Sequence, residues 1–244
     1  MKLSDLTVIV PTKNEVHNIG PFLASLHPDV ALVVVDASDD ETPALIAAHP
    51  HPAKLIRSLA SLGAARQLGA EAADTPWMLF TDADVSFAPD YWQTLSRLVI
   101  RHYGAVYGPK LSTTAHVGHY RRFSRGMLLL DRLGIPAASG SNLLIARRAL
   151  SAAGGFDVSL RCNEDSEVCW RIKQWGYEVR YEPRLVVLAR DHRRLARGGW
   201  RKDLHSLTRC ALLYTGLMPE RWRAEDWGYW QSTAASKETA LLPE

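Results

Sequence analysis

Three cysteines in 244 residues, Cys162, Cys169 and Cys210, form no CxxC pair and leave an odd count. That excludes a disulfide framework and a zinc knuckle, and favours a reducing compartment. Long hydrophobic runs are also missing. The N-terminal "MKLSDLTVIV" has an apolar stretch too short for a signal peptide, with acidic Asp5 ahead of it. The best later stretch, "LHSLTRCALLYTGLM" (204–218), is interrupted by His205 and Arg209, so no membrane span is expected. The expected location is the cytoplasm, with at most peripheral contact at the inner face of a membrane. Net charge is small: 29 Lys and Arg against 26 Asp and Glu leave +3, too little to argue for nucleic acid as a partner. Internal repeats and low-complexity tracts are absent as well.

What remains is an ordinary globular composition, 47% hydrophobic and 23% charged, suited to one large domain or two halves sharing a sheet. "TVIVP" (7–11), "ALVVVD" (31–36), "KLIRS" (54–58) and "WMLFTD" (77–82) read as buried strands. Between them lie amphipathic segments: one with Ile19, Phe22, Leu23 and Leu26 on one face, a short helix from about Glu41, and a small-residue helix over 62–73. A further helix is predicted over 89–102, with Pro89 near its start. This βαβα rhythm predicts an α/β fold with a mainly parallel sheet covered by helices on both faces. The second half is less regular. It predicts a basic helix over 116–134, a strand entering a helix over 139–150, and a helix over 163–177 with acidic residues in its first turn. Val168, Ile172 and Trp175 of that last helix are expected to face the core. The boundaries expected are a first half at 1–115, a second half of the same domain at 116–195, and a basic helical C-terminal extension at 196–244.

In a parallel sheet, ligands bind outside the carboxyl ends of the strands, and here those ends read "PTKNE", "DASDDET" and "TDAD". Each could be a capped turn, but three at equivalent strand ends point to a site. The sharpest is Asp82-Ala83-Asp84, where two like charges end a core strand and require a positive partner. Short oxygen ligands of this kind suit Mg2+ or Mn2+ shared with substrate phosphates.

Six stretches carry a resemblance: "VIVPTKNEVHNIGPFLASL", "VVVDASDDET", "GAARQLGAEAA", "FTDADV", "GSNLLIARRALSAAGGFD" and "NEDSEVCWRIKQWGYEVRYEP". In that order they resemble family 2 glycosyltransferases, inverting nucleotide-sugar-dependent enzymes with the GT-A fold, over roughly residues 6 to 195. The resemblance implies a Rossmann-like sheet and transfer of a sugar, a hexose, from a UDP- or GDP-sugar to a carbohydrate or lipid-linked acceptor. It also implies work in cell envelope polysaccharide or glycolipid synthesis. It places Pro11, Thr12 and Glu15 in the loop that holds the nucleoside. The base or ribose contact falls to Asp36 or, in a run one residue shorter than the family's usual one, to Asp39. Arg66 lies near the nucleotide, Asp82 faces the ribose or donor sugar beside Ala83, and Asp84 holds Mn2+ or Mg2+. Asp165 matches the catalytic base, with Glu164 and Asn142 on the acceptor side, and His192 resembles a histidine that completes the metal site in some members.

The chemistry agrees with these residue types. An acceptor hydroxyl must lose its proton as it attacks, which a poised carboxylate accomplishes, and a divalent ion and arginines stabilise the departing diphosphate. A nucleotidyltransferase on a similar sheet would want a glycine-rich phosphate loop after the first strand, and "PTKNEVHN" has Lys13 but no glycine cluster. A catalytically dead binding module would not need Asp84 and Asp165 intact. The run Arg190–Lys202 holds six basic residues against one acidic. With Trp200, Leu204, Leu207, Leu212, Leu213, Leu217, Trp222, Trp227 and Trp230 it predicts either a contact with an anionic membrane or a helix that closes the acceptor pocket or pairs in a homodimer. Arg209 is expected on the polar side of that helix.

Overall fold

A computed structural model of the chain describes residues 1–190 and 199–225, with side chains outside 199–204. The first half runs β1 (Leu6–Thr12), α1 (Ile19–Ala24), β2 (Ala31–Asp36), α2 (Thr42–Ala48), β3 (Ala53–Arg57), α3 (Leu62–Ala72) and β4 (Trp77–Thr81). It continues through β5 (Val85–Phe87), α4 (Tyr91–Arg97), β6 (Tyr103–Tyr107) and β7 (Lys110–Leu111). Then come α5 (Val117–Arg132), β8 (Asn142–Ala146), α6 (Arg147–Ala152), α7 (Glu164–Gln174), β9 (Glu178–Tyr181), β10 (Val187–Ala189), α8 (Gly199–Tyr214) and α9 (Glu220–Arg223).

Seven strands form one sheet in the order β3-β2-β1-β4-β8-β6-β9, and β5, β10 and β7 form a second, small one. In the large sheet β1 is parallel to β2 and β4, β2 to β3, and β6 to β9. Only β8 runs against its neighbours β4 and β6. The mainly parallel sheet expected from the βαβα rhythm is therefore present. Both halves of the chain contribute strands to it.

The apolar runs are continuous because both faces are covered. Ile9 of β1 and Met78 and Phe80 of β4 pack into a core with α3, α6 and α7. Their neighbours Val8, Val10 and Leu79 point the other way, onto α1, α2 and α4. This is the period-2 alternation of a strand buried on two sides.

Two expectations are corrected. The helix predicted over 89–102 stops at Arg97, because the chain turns to bury Ile100, whose carbonyl accepts from Tyr103 N–H at 3.0 Å as β6 begins. Val168 and Ile172 are buried as expected, but Trp175 is 65% exposed. Helix α7 ends at Gln174 and the chain reverses at Gly176 (φ +83°), which carries the indole away from the core. No described helix is long and apolar enough to cross a membrane.

Candidate active site

The carboxyl ends of β1, β2 and β4 lie side by side, and the antiparallel β8 begins at the same end, with Thr81 paired to Asn142. Thr12, Asp36 and Arg57 are cross-strand neighbours in register on β1, β2 and β3. Asp36 is fully buried. Its Oδ1 accepts from the hydroxyls of Thr12 and Ser38, each at 2.6 Å, and its Oδ2 pairs with the Arg57 guanidinium. Two further bonds fold the loop after β1 onto this cluster. Asn14 N–H donates to Ser38 Oγ at 2.8 Å and Glu15 N–H to Thr42 Oγ1 at 2.9 Å. Asn14 takes a positive φ of 56° there, a conformation asparagine tolerates better than most residues. Asp36 thus holds the loop's shape from beneath, while Asp39 stands exposed in the loop itself.

Arg66 organises the centre. Its buried guanidinium pairs with Glu164 through Nη1 and with Asp82 Oδ1 through Nη2 at 3.1 Å. Ser141 Oγ donates to the other Asp82 oxygen at 2.5 Å. Gly140 lies against the Arg66 guanidinium, where any side chain would collide with it. The same residue donates its N–H to Asp165 Oδ2 at 2.6 Å, and Ser166 N–H donates to Asp165 Oδ1 at 2.7 Å. Three carboxylates therefore gather about one guanidinium, short of positive charge. Burial pushes the Glu164 carboxyl up to about 7, against the opposing pull of Arg66 and with repulsion from Asp165. Asp165 is raised too, by burial first, although Arg66 and its two N–H donors resist. A carboxylate moved toward neutrality is a better base at neutral pH.

Asp84 is buried beside Ala83, and its Oδ1 accepts from Lys110 Nζ at 2.9 Å. The positive partners sought from the sequence are thus side chains of the protein itself: arginine for Asp82 and lysine for Asp84. Among the described residues no three His, Cys, Asp or Glu side chains converge as a metal-ligating group. Mg2+ and Mn2+ commonly take only one or two carboxylates and fill the rest of their shell with phosphates and water. The hard oxygens of Asp84 fit an ion delivered in that way. His192 lies outside the described residues.

The matching of a family model decides the kinship: glycosyl transferase family 2 matches residues 7–153. The chain belongs to that family. Within the matched span fall Pro11, Thr12, Glu15, Asp36, Arg66, Asp82, Ala83, Asp84 and Asn142, whereas Glu164 and Asp165 lie beyond it. The chain is also similar to the pre-mycofactocin glycosyltransferase of Mycobacterium tuberculosis, 26% identical over 207 residues, covering 78% of this chain and 43% of that protein. It therefore spans less than half the length of that relative. Among solved structures it is similar to a mannosyltransferase from Pyrobaculum calidifontis in complex with GDP-Man and Mn2+, with a TM-score of 0.66 at 22% identity, covering 97% of this chain and 78% of that one. S. aureus TarS 1-349 in complex with UDP-GlcNAc aligns with a TM-score of 0.63 at 15% identity over 89% of this chain and 72% of its own. These likenesses show the GT-A fold.

Some site residues sit differently from their expected roles. Asn142 is buried, its Oδ1 accepting from the Tyr91 hydroxyl at 2.7 Å and its Nδ2 donating to the Leu185 carbonyl at 2.7 Å. It braces the floor under the site rather than facing an acceptor. Lys110, Ser141, Gly140 and Arg57 were not singled out from the sequence. A faint signal existed for Lys110, which follows the apolar "GAVYGP" as a strand-end charge, like the aspartates.

The C-terminal extension packs on α7. Asn163 Nδ2 donates to Ser206 Oγ at 2.6 Å, the Tyr214 hydroxyl donates to the Pro136 carbonyl at 2.6 Å, and the Tyr214 ring stacks on Trp170 at 4.5 Å. Arg209, expected on the polar side, is instead buried with its guanidinium donating to the Trp222 carbonyl, while Leu207 and Leu217 are exposed. Trp227 and Trp230 lie outside the described residues.

Proposed function

We propose that this chain moves a hexose from a nucleoside diphosphate sugar to an acceptor hydroxyl with inversion, Asp165 serving as general base. The observation that carries this reading is the Arg66 cluster. One guanidinium ties Asp82 at the end of β4 to Glu164 at the start of α7, which supports a donor-side and an acceptor-side carboxylate working in one site. The acceptor oxygen attacks the anomeric carbon as the bond from that carbon to the diphosphate breaks, and Asp165 takes the hydroxyl proton. Both Asp165 oxygens are held by backbone N–H groups, which fixes the carboxylate and leaves each oxygen a further lone pair for the proton.

The loop of Pro11, Thr12 and Glu15, braced by Asp36, would receive the nucleoside, with Asp39 at its exposed rim. Asp82, fixed by Arg66 and Ser141, would face the donor sugar, and the small Ala83 would leave room for it. Asp84, with His192 as a second ligand, would hold Mn2+ or Mg2+. Bound there, such an ion supplies neutralising charge for the departing diphosphate. Structural neighbours captured with GDP-Man and Mn2+ and with UDP-GlcNAc support a GDP- or UDP-sugar as donor. The acceptor class that suits the family is a carbohydrate or a lipid-linked sugar.

The test is a panel of nucleotide sugars with Mn2+ or with EDTA, on the wild type and on Asp165→Asn. The amide keeps the shape but cannot take the proton. Transfer is expected to fall by about 10²–10⁴-fold while donor binding stays near the wild-type level. Transfer at the wild-type rate would reduce Asp165 to a helix-capping residue, and full turnover in EDTA would remove the ion.

A further inference from the structure

Helix α5 buries only Tyr120 and Met127 among its sixteen residues. Its remaining surface is unusual in composition. Arg121, Arg122, Arg125 and Arg132 are exposed, and among the described residues none of the four forms an ion pair. The one acid of the helix, Asp131, points inward, where it accepts from Tyr181 N–H at 2.8 Å. Between and beside the arginines stand large apolar side chains open to solvent. Leu129 and Leu133 are 58% and 66% exposed, and Phe123 and Ile135 are exposed as well.

At 100° per residue, Leu129, Arg122 and Arg125 lie within about 30° of the direction opposite the buried pair, Leu133 and Arg132 within about 50°, and Arg121 at about 70°, whereas Phe123 lies beside the buried face. A solvated helix would carry charges of both signs and few leucines outward. Bare leucines with a row of arginines that form no ion pair among the described residues match a surface that is apolar below and anionic above. We infer that the outer face of α5 docks on an anionic phospholipid bilayer, with Leu129 and Leu133 entering the headgroup layer and the arginines meeting the lipid phosphates.

The position of this face gives the contact a consequence. The chain from Leu133 to Gly140, which donates to Asp165, is seven residues, or at most about 25 Å of backbone. Docking through α5 therefore sets the candidate active site within reach of a membrane-anchored acceptor. The sequence suggested a membrane contact in the extension, whose basic side chains from Arg193 to Lys202 lie outside the described residues. The face of α5 is a separate observation.

The experiment is co-sedimentation of the full chain with vesicles of phosphatidylcholine alone or mixed with phosphatidylglycerol, at low and high salt. It involves no sugar transfer, so its outcome is independent of the proposed reaction. The wild type is expected to bind the anionic vesicles alone, and less at high salt. Each arginine near such a surface contributes about fivefold in partitioning, so losing three costs about a hundredfold, and Arg121→Glu/Arg122→Glu/Arg125→Glu is expected to bind at least that much more weakly. Leu129→Ser/Leu133→Ser retains the charge and is expected to bind more weakly too. The altered side chains are exposed, so thermal melting near that of the wild type should accompany both losses. No binding by the wild type at low salt would overturn the proposal. So would undiminished binding by either variant, or a wild-type dimer in solution that the leucine variant dissolves.

Discussion

Lys110 Nζ lies 2.9 Å from Asp84 Oδ1, where a divalent ion would bind on the proposed reading. The two cations are then competitors for one carboxylate. Lys110→Met removes the competitor at nearly constant volume and is expected to bind Mn2+ more tightly than the wild type when no nucleotide is present. Titration calorimetry checks this, with Asp84→Asn as the variant expected to lose the site. Equal affinity in wild type and Lys110→Met would show that the ammonium does not occupy the ion's place. At this scale the sequence was legible where a charge interrupts an apolar run, as at Asp82 and Asp84, and where motif order placed Arg66 and Asp165. It was not legible where the partner comes from far along the chain. Nothing local marks Ser141 as the donor to Asp82, or Arg57 as the partner of Asp36. Asn142 is the converse case. The resemblance put it on the acceptor side, and the fold shows both ends of its amide already bonded in the core.

The element that delivers Arg66 is α3, "LGAARQLGAEA", in which six of eleven residues are Gly or Ala. Small side chains let its backbone approach the sheet closely. A Cβ at Gly69 would collide with the Ile9 side chain on β1, so the helix could not keep its seat. Gly69→Ala would ordinarily favour a helix by about 1 kcal/mol through propensity. Overpacking against β1 opposes that with about 1–3 kcal/mol, and a net loss of stability is expected in urea unfolding, together with weaker transfer as Arg66 shifts. A gain in stability would mean that the helix lifts freely from the sheet. Elements buried on both faces, such as β1, β2 and β4, were readable because burial leaves an unbroken apolar run. Strand β6 was not read. It is five residues long and contains Gly104, which a strand pattern disfavours but which lies where a Cβ would strike Tyr177 and Ile172. The small sheet of β5, β7 and β10 was equally silent, since strands of two or three residues carry too few positions to show a period.

For the molecule as a whole, the cluster around Arg66 links stability to pH. The Glu164 carboxyl is raised by burial from 4.5 to about 7. As pH rises across that window the unfolded chain releases this proton while the folded chain keeps it, so stability falls, and the loss levels off above about 7. Asp165, raised in the same sense, adds to the slope. Melting temperatures of wild type and Glu164→Gln measured between pH 4.5 and 7 are expected to differ in slope, the amide variant declining less. Parallel profiles would assign the proton to another group. The sheet order also bears on how the molecule is made. Strands β1 to β4 lie within the first third of the chain, yet β4 gains its other neighbour only when β8 arrives, as when Thr81 Oγ1 donates to the Ser141 carbonyl sixty residues later. At about 5–20 residues per second on the ribosome, that is roughly 3–12 s during which β4 is an open apolar edge with Asp82 and Asp84 just beyond its end. An open apolar edge invites pairing with other chains, and the acids at its tip repel a second copy of themselves. Charges flanking an apolar strand are thus placed to act, for the nascent chain, as gatekeepers against aggregation.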